Sequence, residues 1–145
     1  MAQEDPNALF MGYVGQKVVV MKDGKVLMCK GNTGFLEHLW DFPGGRMHTG
    51  EFPAESLARE LKEELGVEFT LGKPLFTAVT YKTPKNIPRY YVVFEASLVD
   101  SDAPFQVAED EIAELRWVGE DEVDNLPTWE DWRVLLKEYF KHHAR

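Results

Sequence analysis

The sequence contains little cysteine, comparatively little positive charge and no long apolar run. Its single cysteine, Cys29, excludes a disulfide within the chain and is typical of a protein in the reducing cytoplasm. Asp and Glu outnumber Lys and Arg by 25 to 16, and the net charge of −9 argues against binding a nucleic-acid polymer through a basic face. We therefore expect any anionic ligand to be small and to need a cation beside it.

The apolar runs are also too short for a membrane helix, which needs about 20 consecutive apolar residues. The longest obvious run is Val-Val-Val-Met at residues 18–21. The first ten residues have neither a basic start nor an apolar stretch, so they do not resemble a signal peptide. With 145 residues, no repeat and no long linker, the chain is expected to fold as one domain, with residues 1–12 at its periphery.

Strands are predicted on both sides of a central helix. Two apolar runs around Asp23-Gly24 predict a β-hairpin over residues 15–31, because Asp-Gly is a typical two-residue hairpin turn. Four later segments are rich in β-branched and aromatic residues, which predicts strands, and the glycines and Pro43 near the first of them indicate a loop. These segments are residues 39–42, 75–81, 89–98 and 114–119.

Two helices are expected. Pro53 suits the first turn of one helix and Gly66 suits its end, with apolar residues at helical spacing between them. Thr128 is the predicted cap of a second helix, which carries aromatic residues at helical spacing. This order predicts an α/β fold in which a mixed β-sheet lies between helices, an α/β/α sandwich.

The first helix also carries three glutamates, Glu60, Glu63 and Glu64, on a stripe about 120° around from its apolar side. Like charges at this spacing cost roughly 0.2–0.5 kcal/mol per pair in an isolated helix. A solvated helix face or a bound cation would explain the cluster, and the helix alone leaves both explanations open.

The glutamates belong to a longer pattern. Gly45 is followed after five residues by Glu51, and after seven more by RELKEELGV at residues 59–67. This pattern resembles the Nudix box of the Nudix hydrolase family, and a chance match at its seven fixed positions has a frequency of about 10⁻⁹ per start site. The lead-in WDFPGG (40–45) and the segment EIAELRWVGEDEV (111–123) are also similar to the family. The resemblance covers about residues 14–140.

Members of this family hydrolyse a nucleoside diphosphate linked to another group, with Mg²⁺ or Mn²⁺ as cofactor. The resemblance implies that oxygen ligands from the box hold the metal ion, which neutralises the diphosphate and acidifies the attacking water. The expected ligands are the carbonyl of Gly44 and the carboxylates of Glu60, Glu63, Glu64 and Glu111.

Glu111 is expected as a further metal ligand or as the general base, and Asp110, Glu109 and Glu114 remain alternatives. By the same matching, Arg59 and Glu51 are counted with the catalytic residues because they would orient the loop and the helix.

Substrate contacts are less specific in sequence. Arg46 and Arg89 are candidates for binding phosphate, and Trp40, Tyr81 and Phe35 are candidates for stacking on a base. Surface solubility explains the arginines equally well, and no single aromatic residue is favoured.

The resemblance favours a MutT-like pyrophosphohydrolase that converts a nucleoside triphosphate to the monophosphate and pyrophosphate, because WDFPGG is similar to the lead-in of such members. ADP-ribose or another nucleotide sugar is the alternative substrate. The family members that act on ADP-ribose usually carry a proline at about this distance after the box, and Pro84 falls seventeen residues beyond Val67. Because of Tyr81, dinucleoside polyphosphates remain a further alternative substrate. Homodimers are frequent in the family, and nothing in the sequence specifies an interface.

Two hypotheses from other classes are disfavoured. An isomerase of isopentenyl diphosphate would need a catalytic cysteine and a modified box, whereas Cys29 precedes an intact box. A non-catalytic nucleotide sensor would lack box glutamates or carry a DNA-binding domain, and the sequence shows neither feature.

Overall fold

The computed structural model of the protein describes residues 5–32 and 38–143, so Phe35 lies outside the described residues. The elements are the strands and helices β1 (Tyr13–Lys22), β2 (Lys25–Gly31), β3 (Trp40–Asp41), β4 (Gly44–Arg46), α1 (Pro53–Leu65), β5 (Phe69–Thr80), β6 (Arg89–Leu98), β7 (Ile112–Val118) and α2 (Glu130–His143). Short 3-10 helices lie at Pro84–Asn86 and Glu120–Asn125. Residues 5–12 form no helix or strand. Within the described ranges, no helix combines the length and the apolar character needed to cross a membrane.

Strands β1 and β2 lie side by side next to the turn that joins them and diverge away from it. The predicted turn joins them, with Asp23 at φ 52° and Gly24 at φ 76°, as a two-residue hairpin of this type requires. The strands pair with each other only next to this turn. Farther along, β1 pairs with β4 and in parallel with β6, whereas β2 pairs with β3 and β7. The two strands therefore separate toward the end of the sheet that carries β4.

The mixed sheet separates two apolar cores. Successive residues of a strand point to opposite faces, so β1 and β2 contribute to both cores. One core combines Val18, Val20 and Leu27 with Leu57, Leu61 and Leu65 of α1. The other combines Val19, Val26 and Met28 with Trp132, Leu136 and Phe140 of α2. The predicted arrangement of a mixed sheet between helices is confirmed.

Helix α1 has the bounds that the sequence predicts, from Pro53 to Leu65, just before Gly66. Phe52 precedes it and offers no side-chain cap, but the carboxylate of Glu55 accepts the backbone N–H of Phe52 at 3.1 Å. Each fully buried leucine of this helix contributes about 1.5–3 kcal/mol of hydrophobic free energy. This packing fixes the direction in which the glutamates project.

Two strands differ from the prediction. Strand β5 begins at Phe69 instead of residue 75, and its pairing with β6 shifts register on both sides of Pro74. These irregularities interrupt the regular alternation from which a strand is predicted. Strand β4 lies in the segment predicted as a loop. Its three residues are too few for a periodic pattern, and they form a strand because β1 supplies the pairing partner.

The cap predicted at Thr128 is wrong. Helix α2 begins at Glu130, and the hydroxyl of Thr128 instead donates to the carbonyl of Trp40 at 2.7 Å. In a helix that begins at Glu130 the capping position is residue 129, so Thr128 lies one residue too early to cap it. Thr128 therefore ties the start of α2 to β3.

Candidate active site

Charged residues from several elements surround a cavity of about 420 Å³ that lies where β1 and β2 diverge. Glu60 and Glu64 line it from α1, and Glu111 lines it from the loop before β7. Three cations line it from the strands of the sheet, namely Lys17, Arg46 and Arg89. The cavity therefore brings acidic and basic side chains from distant parts of the chain together.

Glu60 is placed by a close approach of the helix to the sheet. A Cβ atom at Gly45 would lie 2.3 Å from Oε2 of Glu60, closer than real contacts allow. Only a glycine at this position lets the carboxylate of Glu60 rest against β4. The second glycine of the Pro-Gly-Gly turn thus belongs to the site as well as to the fold.

Glu64 projects into the interior of the site. Its Oε1 accepts the backbone N–H of Gly44 at 3.0 Å. Burial raises the pKa of Glu64 to about 8, and the charges of Glu60 and Asp41 add to this rise, whereas the ammonium of Lys17 and the Gly44 N–H oppose it. A buried carboxylate of this kind gains much from a cation beside it.

Lys17 is a buried cation at the floor of the cavity. Its Nζ lies 2.9 Å from Oδ2 of Asp41 and 3.4 Å from the carbonyl oxygen of Gly44. Burial alone would lower the pKa of this lysine, but the carboxylates of Asp41 and Glu64 hold it above its ordinary value. Lys17 is therefore a permanent positive charge at the cavity.

The carboxylate of Asp41 holds the side chain of Lys17 in place. While Oδ2 faces the lysine, Oδ1 accepts the indole N–H of Trp132 at 2.9 Å and the backbone N–H of Phe42 at 2.8 Å. Both carboxylate oxygens are thus satisfied in the interior, as a buried charge requires. Lys17 and Asp41 are not among the site residues predicted from the sequence. The only local signal was a lysine directly before the apolar run of a predicted strand.

Arg59 occupies the centre of the box. Its guanidinium donates to both oxygens of Glu51, at 2.6 Å from Nε and 2.9 Å from Nη2. Its Nη1 lies 3.1 Å from Glu60 and 3.1 Å from Glu63, and its Nη2 donates to the carbonyl of Arg46 at 3.4 Å. One side chain therefore ties the helix to β4 and to the loop that follows it.

Glu51 and Glu63 are not part of the cavity wall, although both contact Arg59. Glu51 also accepts the backbone N–H of His48 at 2.8 Å, which holds the loop after β4 in place. Glu63 is 54% exposed. Among the three box glutamates, Glu60 and Glu64 face the cavity and Glu63 faces outward.

The structure brings Glu111 toward the box. It lines the same cavity as Glu60 and Glu64, and burial and the neighbouring charges of Asp110, Glu60 and Glu63 raise its pKa. Of the alternatives, Glu114 lies on β7 beside Lys30 at 3.9 Å. Asp110, Glu109 and Glu114 do not line the cavity.

The basic side of the cavity is one face of the sheet. Tyr13 and Lys17 project from the same face of β1, because they are four residues apart on a strand. Arg89 lies beside Tyr13 in the register of β1 and β6, and Arg46 lies opposite Gly15 in the register of β1 and β4. Side chains at paired positions share a face, so these cations converge on the cavity.

Two of the three aromatic residues predicted to stack on a base, Trp40 and Tyr81, lie elsewhere. Trp40 is 4% exposed and packs in the core on the α2 side, with the Arg116 guanidinium 4.7 Å from its ring centroid. Tyr81 is exposed and packs against Phe10. Neither lines the cavity, whereas Arg46 and Arg89 do.

The chemistry of the donors fits a hard divalent cation, since carboxylate and carbonyl oxygens are its preferred ligands. Within residues 5–32 and 38–143, however, no three His, Cys, Asp or Glu side chains are arranged so that they could hold a metal ion. The ion pairs of Arg59 explain part of this, because its guanidinium holds Glu60 and Glu63. The donor set is thus present without being gathered into a preformed cluster.

The chain is similar in sequence to known nucleotide hydrolases. The nucleoside triphosphatase NudI of Enterobacter sp. (strain 638) is 29% identical over 129 residues, covering 81% of this chain and 89% of that protein. The ADP-ribose pyrophosphatase of Methanocaldococcus jannaschii is 27% identical over 124 residues, covering 85% of this chain and 70% of that protein.

A similar fold is found among solved structures. The MutT protein from Methanosarcina mazei Go1 superposes with a TM-score of 0.79 at 18% identity, covering 96% of this chain and all of that one, which supports the fold alone. The profile of the NUDIX domain matches residues 14–139, almost the extent that the box and its flanks indicated. The chain therefore belongs to the Nudix hydrolase family, whose members act on pyrophosphate bonds.

Proposed function

We propose that this Nudix hydrolase is a MutT-like enzyme that converts a ribo- or deoxyribonucleoside triphosphate into the monophosphate and pyrophosphate. The observation that carries the proposal is the cavity in which Glu60, Glu64 and Glu111 meet Lys17, Arg46 and Arg89. A triphosphate is strongly anionic, so a chain of net charge −9 needs local cations to bind it. The similarity to a nucleoside triphosphatase supports the same substrate class.

The residues that would hold a divalent ion are the carbonyl of Gly44 and the carboxylates of Glu60, Glu63, Glu64 and Glu111. When bound, Mg²⁺ or Mn²⁺ neutralises phosphate charge and lowers the pKa of the attacking water. Glu60, Glu64 and Glu111 line the cavity, whereas Glu63 would have to exchange its ion pair with Arg59.

The other side chains bind and position in this proposal. Arg46 and Arg89 contact the phosphates from the sheet, and Lys17 adds a fixed charge at the cavity floor. Arg59 and Glu51 hold the helix and the loop in register. Glu111 reaches the cavity from outside the box helix, and we assign to it the acceptance of the proton from the attacking water.

ADP-ribose or another nucleotide sugar is the second candidate substrate, supported by the similarity to an ADP-ribose pyrophosphatase. A nucleotide sensor without catalysis is less well supported, because all box glutamates are present. An isomerase that uses Cys29 is disfavoured as well, since burial raises the pKa of this thiol well above its ordinary value and keeps it neutral. We place the protein in the cytoplasm because its one cysteine is a buried free thiol.

Product analysis tests the proposal. The purified protein is incubated with Mg²⁺ and either common and oxidised nucleoside triphosphates or ADP-ribose, and the products are separated by chromatography. Monophosphate with pyrophosphate is the expected result. AMP with ribose 5-phosphate from ADP-ribose would move the substrate to the second candidate. If neither wild type nor E64Q hydrolyses any of these compounds, the hypothesis of a non-catalytic nucleotide sensor is favoured. Exposed Glu68 offers a matched control in E68Q.

A further inference from the structure

A groove beside the active-site cavity has no part in the reaction as described so far. It is lined by Gly12, Tyr13, Val14, Met47, His48 and Thr49. Three of these residues, Tyr13, Met47 and His48, also line the cavity, so the two spaces adjoin. A ligand whose phosphates lie in the cavity can therefore extend into this groove without leaving the surface.

Tyr13 stands at the junction of the cavity and the groove, and 39% of its surface is exposed. The guanidinium carbon of Arg46 lies 4.6 Å from the centroid of its ring, a cation–π contact that orients the ring. Arg89 is its neighbour on β6. An accessible aromatic ring next to phosphate-binding cations is the arrangement on which nucleobases stack in proteins that bind single nucleotides or strands.

The segment beside β1 in the groove is held in place by hydrogen bonds. The backbone N–H of Met47 donates to the carbonyl of Val14 at 2.8 Å. The backbone N–H of His48 donates to Glu51 at 2.8 Å, and Glu51 is itself fixed by both donors of Arg59. A wall built in advance lowers the entropy lost on binding.

We propose that Tyr13 is the platform on which the base of the nucleotide stacks, in the groove beside the active-site cavity. This inference rests on the proposed function, because it assumes that the phosphates occupy the cavity. It makes Tyr13 a residue that selects nucleotides over other phosphorylated compounds. Stacking tolerates any base, so Tyr13 does not choose among the bases.

The test compares ligands that differ only by the base. Dissociation constants for AMP, GMP, CMP and UMP are measured by calorimetry in the presence of Mg²⁺ and set against the constant for ribose 5-phosphate. Wild type is expected to prefer the nucleotides. Y13A is expected to weaken nucleotide binding by about 5- to 150-fold and to leave ribose 5-phosphate binding unchanged. Y13W keeps a stacking surface and is expected to retain the preference.

Tyr90 provides the matched control. It has the same side chain, the same 39% exposure and a place on the neighbouring strand, but it contacts Phe10 and lines neither space. Y90A is expected to bind all ligands as wild type does. If Y13A does not fold, as judged by circular dichroism, Y13L preserves apolar bulk without the aromatic face and is measured in its place.

Three outcomes would overturn the inference: equal weakening of nucleotides and ribose 5-phosphate in the Tyr13 variants, an equal loss in Y90A, or a wild type without preference for nucleotides. Failure of the proposed function is a separate result, in which wild type releases no monophosphate from any triphosphate. Failure of this inference alone leaves that hydrolysis intact and removes only its dependence on Tyr13.

Discussion

Glu60 rests against Gly45 so closely that a Cβ atom at residue 45 would lie 2.3 Å from its Oε2. The preceding glycine meets a different constraint. Gly44 has φ of +138°, and a Cβ atom there would lie 2.0 Å from the carbonyl oxygen of Gln16. The contact at residue 45 is with the end of a flexible side chain, and the contact at residue 44 is with backbone. A side chain at residue 45 would thus collide with the site, and one at residue 44 would collide with the backbone of β1.

Alanine substitutions at these two positions should separate the two roles. G45A is expected to displace the Glu60 carboxylate, to lower kcat/KM at least about tenfold and to change the free energy of unfolding little, because a side-chain end moves easily. G44A is expected to destabilise the protein by more than about 2 kcal/mol through backbone strain and collision. Urea denaturation and initial rates measure both effects. Equal destabilisation by the two variants would contradict this assignment.

The box glutamates should differ in their effect on stability and agree in their effect on rate. E60Q, E63Q and E64Q are each expected to lower kcat at least about 100-fold, because a metal ion contributes several kcal/mol to the transition state. E63Q should leave the free energy of unfolding almost unchanged, since Glu63 is 54% exposed and surface ion pairs contribute little.

Rates at several Mg²⁺ concentrations measure these effects, and E68Q is the control for removing an exposed charge. A lower affinity for Mg²⁺ in the three box variants, with wild-type behaviour of E68Q, is the expected pattern. Wild-type rates in E63Q would show that the outward-facing glutamate is not a ligand, while leaving Glu60 and Glu64 to be judged on their own.

The sequence predicted those features that depend on neighbouring residues. The hairpin at Asp23-Gly24 and the helix from Pro53 follow from local turn chemistry and periodicity, and both are confirmed. The alternation of Val18 and Val19 between the two cores follows from strand geometry. The family resemblance also indicated Glu60, Glu64 and Glu111, which line one cavity, and Glu63, which does not line it.

The features that were missed depend on contacts between residues far apart in sequence. Lys17 and Asp41 form their ion pair only after β1 and β3 are in place, so nothing local in the sequence indicates that they pair. Trp40 and Tyr81 were chosen for their ring type, but burial places one in the core and distance removes the other from the cavity. Strand β4 likewise exists only because β1 pairs with it.

The buried ion pair should respond unequally to loss of either partner. D41A leaves the ammonium of Lys17 and the indole N–H of Trp132 without their carboxylate and is expected to cost about 3–5 kcal/mol. K17M should cost less, because Asp41 keeps the N–H donors of Trp132 and Phe42. Urea denaturation without added metal measures both variants. A larger loss of unfolding free energy in K17M than in D41A would contradict the view that Asp41 holds Lys17, Trp132 and Phe42 together.

The contact between Glu51 and Arg59 should show itself in the acid range. Hydrogen bonds from the Arg59 side chain, and then from the His48 backbone N–H, lower the pKa of Glu51 from 4.5 to about 2. Because the pKa in the folded state lies below that in the unfolded state, the stabilisation is complete above about pH 4.5 and is lost as the pH falls toward about 2.

Thermal denaturation of wild type and E51Q across this range measures the effect. The difference in Tm should stay constant from about pH 8 to about pH 5.5, and should narrow only below about pH 4.5, where the carboxylate is protonated in the unfolded chain and then in the folded one. E68Q, which removes an exposed carboxylate, should show no such narrowing. A difference that already shrinks between about pH 8 and pH 6 would mean that another group, and not Glu51, carries the pH dependence.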